Sequence, residues 1–319
     1  MKLSANPRLT IKTFMRAVWS FWTKPFLANH HSMWRSPAHH LYSWVLSLET
    51  VRQHFPRTAL FTDDEGARLL IDQLGLEFDE VSTELNALAQ HDAGWWALGK
   101  VWTYRAQSEP FIHFDNDAFL WNPLPDLLTS APLIAQNPDS FVPGYSYYEP
   151  EVLEQIVSEG GQIWLPAEWV WYRSVGLQQH GISCGIFGGN RLDFIQHYSD
   201  QAIKMIEHPA NQAGWSLMKD KFNHNILFEQ YLLGACIEYH QRHRTSPFRD
   251  IEIRYMFESF DEAFDQDRAE QMGYTHLIAG AKGNPDIAAR LEQRVKRDYP
   301  AHYERCLLAS SATHAAAGN

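Results

Sequence analysis

The stretch Pro110-Phe-Ile-His-Phe-Asp-Asn-Asp-Ala-Phe-Leu-Trp121 decides how this 319-residue chain is read. Its first half is a short apolar run, the signature of a buried strand, and it turns polar abruptly at Asp115-Asn-Asp117. Upstream the chain alternates short β-like runs with helical patterns, which implies βαβ units on a mostly parallel sheet. Ala17–Trp22 reads as a first strand, Thr58–Thr62 as a second and Phe78–Ser82 as a weaker third. Between them, His39–His54 carries Leu41, Trp44, Val45, Leu48 and Val51 at helical spacing, and a second helix runs through Leu69, Leu70 and Leu74. A helix over Trp95–Arg105 leads into the decisive strand. In parallel α/β sheets ligands sit beyond the carboxyl ends of strands, and the acidic triplet lies at such an end.

Two carboxylates separated by one residue at a strand exit supply oxygen donors for a hard divalent cation, which can bridge nucleotide phosphates. Asp115 and Asp117 are therefore the candidate metal ligands, with Mn2+ or Mg2+ expected. The other reading of such a pair is a solvated turn. Lys100 can reach a phosphate or run along the surface, and Asp63 with Asp64 can meet a nucleoside or cap the following helix.

The chain is 45% hydrophobic and 13% aromatic, enough for a large core, and a mainly disordered protein is excluded. A net charge of −11 without a dense run of Lys and Arg argues against nucleic acid as a partner. Cys184, Cys236 and Cys306 are too few and too dispersed for a disulfide framework, and the segment Met1–Pro7 has no apolar signal core. The expectation is a cytoplasmic protein with no transmembrane segment. With no repeat or linker, residues 1–305 read as one domain, with a donor half at about 14–125 and an acceptor half at about 126–300. Residues 306–319 read as a disordered tail.

Beyond Pro125, Ile186–Asn190 reads as a strand with a tight turn and Asn225–Tyr239 as a helix whose apolar face includes Ile226, Leu233 and Ile237 and must also hold Gln230. Ile251–Phe257 and Tyr274–Ile278 read as late strands and Leu291–Arg305 as one last amphipathic helix. Most of the aromatic cluster Tyr145, Tyr147, Tyr148, Trp164, Trp169, Trp171 and Tyr172 is expected in the core, with some rings free to stack on a sugar or base. The histidines, including His30, His31, His39 and His40, lack zinc-ligand spacing with cysteines and read as core or solvated.

The blocks Trp96-Ala-Leu-Gly-Lys100, Pro110–Trp121 and Pro123-Leu-Pro125 resemble the donor-site core of GT-A glycosyltransferases, and more closely an uncharacterised bacterial group of GT-A-like proteins; the likeness runs from about residue 18 to 300. It implies an α/β, Rossmann-like mixed sheet flanked by helices, binding a nucleotide-sugar donor such as a UDP-sugar. A hexosyl group would pass to an acceptor, a glycan or a lipid-linked molecule. Family 8 glycosyltransferases carry a late His followed six residues on by Lys, as do His276 and Lys282 in Tyr274-Thr-His-Leu-Ile-Ala-Gly-Ala-Lys282. The resemblance implies His276 as third metal ligand, Lys282 on the diphosphate, and retention of configuration. Here the glycine stands one place late and Gly283-Asn284 replaces the usual Pro-Trp.

The segment His180–Asn190 resembles the strand that lines the donor sugar, with Ser183 where an Asn is usual and Gly185 following. Asn116, Ser183 and Gly185 join Asp63 and Lys100 as candidate donor contacts. Glu229 and Gln230 fall where related enzymes place an acidic or amide group near the acceptor, so both, with Lys282, are catalytic candidates. An inverting enzyme would need a carboxylate base, for which Asp220, Glu168 and Glu229 are available. A nucleotide-sugar binding module without turnover is one alternative. A phosphotransferase of the haloacid dehalogenase type is another, disfavoured because Phe119 stands where that class needs a small Thr or Val.

Overall fold

The computed structural model describes residues 15–317 apart from 30–32, 142–146, 162 and 177. His30, His31 and Tyr145 therefore lie outside the described residues. Nine strands occur among the described residues: β1 (Arg16–Phe21), β2 (Thr58–Thr62), β3 (Glu80–Ser82), β4 (Phe111–Phe114), β5 (Ala118–Leu120), β6 (Leu133–Phe141), β7 (Gln179–Gly189), β8 (Ile253–Tyr255) and β9 (Tyr274–His276). Seven form one sheet in the order β3-β2-β1-β4-β7-β6-β8, and β5 pairs with β9 alone. β7 runs antiparallel to both β4 and β6, while every other pairing in the large sheet is parallel.

A parallel sheet covered on both faces needs apolar residues on both, so its strands read as continuous runs. Successive side chains accordingly feed two cores. Ala17, Trp19 and Phe21 of β1, Leu60, Ile112, Phe114 and Ile186 pack on one face. Val18, Ala59, Phe61, Phe111 and Phe187 pack on the other. The first face is covered by α1 (Pro37–Val51), α6 (Pro285–Asp298) and α7 (Pro300–Ala317), and the second by α2 (Leu98–Arg105), α3 (Ala167–Ser174), α4 (Leu192–Glu207) and α5 (Leu232–Arg242). Within the aromatic cluster Tyr148, Trp169 and Tyr172 are fully buried and Tyr147 is exposed.

Three expectations are corrected. The single late helix over Leu291–Arg305 is two helices, because Pro300 lacks an amide donor and its ring bars the preceding residue from continuing the helix. The tail from 306 is helical to Ala317, not disordered: Cys306 and Ala309 are small enough to pack into the first core, and the Ala-rich remainder favours helix. The helix over Asn225–Tyr239 is not uniform, since Leu227–Tyr231 forms a π-helical turn before α5. That turn shifts the phase, burying Glu229 fully and leaving Gln230 only partly buried.

Candidate functional site

Asp115 leaves β4 with its amide still bonded to the Gly185 carbonyl of β7 at 3.0 Å. Its own carbonyl accepts from Ala118 N–H at 3.0 Å, closing a turn that reverses the chain into β5. β5 then pairs antiparallel with β9, setting Ala118 opposite His276, and Leu277 N–H donates to the Asp117 carbonyl at 3.0 Å. This two-stranded ladder carries a distant segment to the acidic triplet. His276 Nε2 lies 3.4 Å from Asp117 Oδ1 and 3.9 Å from Asp115 Oδ2. Lys282 Nζ, on the following 3-10 turn Ala279–Gly283, is 2.6 Å from Asp117 Oδ2. The two carboxylates converge as the sequence anticipates, and the imidazole and ammonium close on them.

A chain of amides fixes the imidazole tautomer. Asn137 donates its Nδ2 to the Pro138 carbonyl at 3.0 Å, so its Oδ1 must accept from Gln136 Nε2, 3.2 Å away. Gln136 then turns its Oε1 to His276 Nδ1 at 2.8 Å, which makes Nδ1 the protonated nitrogen. In the neutral ring Nε2 therefore presents a lone pair to two carboxylates, an arrangement that favours a cation between them. Two carboxylates and one imidazole, with ligand atoms close together, form a donor set that could hold a metal ion. Gln136 sits at the β-bulge where the β6–β7 register shifts, and Gly185 gives its side chain room: a Cβ there would lie 2.3 Å from Gln136 Oε1 and 2.3 Å from His276 Nδ1.

Burial alone would raise the Asp117 pKa, but the Lys282 ammonium beside it holds it well below the usual carboxylate range. Beneath the turn, Lys100 Nζ meets Asp115 Oδ1 at 2.9 Å, Glu229 Oε1 at 2.6 Å and the Cys184 carbonyl at 3.3 Å. Burial opposes its charge, yet Asp115 and Glu229 raise its pKa well above the usual value. Glu229 itself is pushed upward by burial, against the pull of Lys100. Lys100 is thus a fixed cation that aims Asp115.

A cavity of about 1010 Å³ opens over these residues. Asn116, Ser183, Gly185, Gln230 and Asp220 line it together with Asp115, Asp117, His276, Lys100 and Lys282. Gln230 accepts from the Tyr148 hydroxyl at 2.6 Å, and Asn116 donates to Ser43 Oγ at 3.0 Å. Three candidates fall elsewhere. Asp63 is occupied as a cap: Oδ1 takes Gly66 N–H at 2.8 Å and Oδ2 takes Thr23 N–H and hydroxyl at 2.9 and 2.7 Å. Glu229 is buried behind Lys100 and Glu168 is bonded to His197, so neither is among the lining residues. The sequence reading misses Asp139, which lines the cavity beside Tyr147 and whose pKa burial raises. It also misses Gln136, although a buried amide two strands from the triplet leaves no signal in the sequence.

The chain belongs to the family of unknown function DUF6734, which matches it over residues 15–309. No curated protein matches it significantly. Among the described residues no helix is long and apolar enough to cross a membrane.

Proposed function

We propose that this chain is a metal-dependent glycosyltransferase of the GT-A type, moving a hexosyl group from a nucleotide-sugar donor, a UDP-sugar in the first instance, to an acceptor in the same cavity. The observation that carries the reading is the convergence of Asp115, Asp117, His276 and Lys282 at the carboxyl end of a central strand, above a cavity large enough for both substrates. Asp115, Asp117 and His276 would hold Mn2+ or Mg2+, which when bound offsets charge on the departing diphosphate. Lys100 holds Asp115 from below, and Gln136 keeps the His276 lone pair turned outward. Lys282 is the mobile positive charge: paired with Asp117 here, it can turn to a phosphate oxygen, where it matters most as the glycosidic bond breaks. Gln230, Asp139 and Asp220 offer polar contacts to an acceptor. The resemblance of the His276–Lys282 motif to that of family 8 glycosyltransferases favours retention.

The test is a screen of nucleotide sugars for hydrolysis and thermal stabilisation, with Mn2+ and with chelator. Binding and hydrolysis should both require the metal, and equal affinity in chelator would overturn the reading. His276→Ala should weaken metal-dependent binding. Lys282→Ala should lower turnover more than binding, by about thirty- to a thousandfold, equivalent to roughly 2–4 kcal/mol. Metal-dependent binding without turnover of any donor would leave a binding module instead.

A further inference from the structure

A second imidazole–carboxylate cluster lies away from the cavity, where α3, α4 and α5 meet. Glu168 of α3 and His240 of α5 are buried, at 5% and 6% exposure, and His197 of α4 is half-buried. His197 Nε2 is 2.8 Å from Glu168 Oε1, His240 Nε2 is 3.0 Å from His197 Nε2, and His240 Nε2 is 3.4 Å from Glu168 Oε1. While Glu168 is ionised, no placement of protons on the two rings satisfies all three edges of this triangle. If both nitrogens carry protons toward the carboxylate, two donors face each other; if either is bare, its lone pair faces another lone pair. Buried polar groups ordinarily find partners, so an arrangement that defeats its own hydrogen bonding needs a physical cause.

The triangle has the dimensions of a metal-binding face. Its corners lie on a circle of about 1.8 Å radius, so one ion can sit close to the 2.0–2.2 Å bond length of zinc from all three. His240 Nδ1 is bonded to Ser246 Oγ at 2.7 Å, and that oxygen also accepts Phe248 N–H at 3.0 Å, the outer-shell support that orients a ligating imidazole. The Phe248 ring walls the cluster, 5.2 and 5.1 Å from the His197 and His240 rings.

We propose that Glu168, His197 and His240 bind one zinc ion that staples α3, α4 and α5 together, with the fourth position open on the half-buried His197 side. Two imidazoles and a carboxylate form a zinc donor set, distinct in kind from the carboxylate-rich cluster at the cavity.

The test uses the full chain carrying Asp115→Asn and Asp117→Asn, which removes the cavity cluster. Dialysis against Zn2+ followed by elemental analysis should give one zinc per chain, with a rise in melting temperature that chelator reverses. Adding His197→Gln and His240→Gln should weaken zinc binding on the order of 100-fold or more. Should those variants not fold, Co2+ added to the Asp115→Asn, Asp117→Asn protein supplies the second measurement, with the visible bands of a low-symmetry site expected. A folded Asp115→Asn, Asp117→Asn protein without zinc or cobalt bands, or zinc content undiminished in folded glutamine variants, would overturn the proposal.

Discussion

The two imidazole–carboxylate clusters are built by opposite means. At the cavity, Asp115 and Asp117 sit on a turn and His276 arrives on a three-residue strand, so the cluster is assembled by loops and is open to solvent on one side. Under α3, α4 and α5 the donors project from regular helices into a largely buried space. Loop-built groups can trade partners, as Lys282 can leave Asp117 for another anion, whereas helix-built groups are fixed by everything packed behind them. The first arrangement suits chemistry and the second suits cohesion.

The sharpest way to break that contrast is to empty each cluster and read both activity and stability. Asp115→Asn with Asp117→Asn should lower metal-dependent turnover by on the order of a thousandfold or more, at a stability cost of about 1–3 kcal/mol, since Lys100 keeps Glu229 as its partner while Lys282 loses Asp117. His240→Ala should act on stability and spare the cavity. It removes a buried imidazole with two partners, so a loss of roughly 2–4 kcal/mol is expected in denaturant unfolding, with metal-dependent nucleotide binding within a few-fold of wild type. A cavity variant that melts far below wild type, or a His240 variant that loses nucleotide binding, would show that the two clusters are not separable.

The same contrast explains what the sequence disclosed. β2 falls on the residues expected of it, and the strand into Asp115 is legible because a buried parallel strand writes its burial as a continuous apolar run. The resemblance to family 8 glycosyltransferases points to His276 and Lys282, but the reason they reach the triplet, the β5–β9 ladder, involves two strands of three residues, too short to carry a period. Gln230, expected on the apolar helix face, lines the cavity and Glu229 is buried behind it because one π-helical turn resets the helix phase, which no count of residues foretells. Glu168, His197 and His240 come from three separate helices, so a search for local ligand spacing passes over them and leaves Glu168 looking like a free base.

A smaller perturbation tests how the cavity cluster is held. Gly185→Ala places a methyl where His276 Nδ1 and Gln136 Oε1 now lie, at 2.3 Å from each. The backbone there is fixed by the Asp115 amide bond, so the imidazole must give way. Losing the outer-shell bond typically weakens a metal site by about 10- to 100-fold, and that is the expected loss of Mn2+ affinity by titration. Overpacking should cost about 1–3 kcal/mol of stability as well. Unchanged metal affinity would mean that His276 does not depend on Gln136 for its orientation, and the loop-built site would then be more rigid than the comparison allows.

The finest test addresses the turn between His276 and Lys282. Ala279 has φ 47°, the only non-glycine residue in the left-handed region among those described. An L side chain there costs roughly 1 kcal/mol through contact of its Cβ with the backbone, and glycine removes that cost. Glycine also widens the unfolded ensemble, at a penalty of about 0.4–1 kcal/mol, so the two effects nearly cancel. Ala279→Gly should therefore change stability by less than about 0.5 kcal/mol in denaturant unfolding, where the same substitution in a right-handed turn would show the glycine penalty in full. Ala279→Val should be clearly worse than either, because a β-branched side chain tolerates positive φ poorly. A loss near 1 kcal/mol in Ala279→Gly would mean the backbone at this position is right-handed in solution, and the path that sets Lys282 on Asp117 would have to be drawn differently.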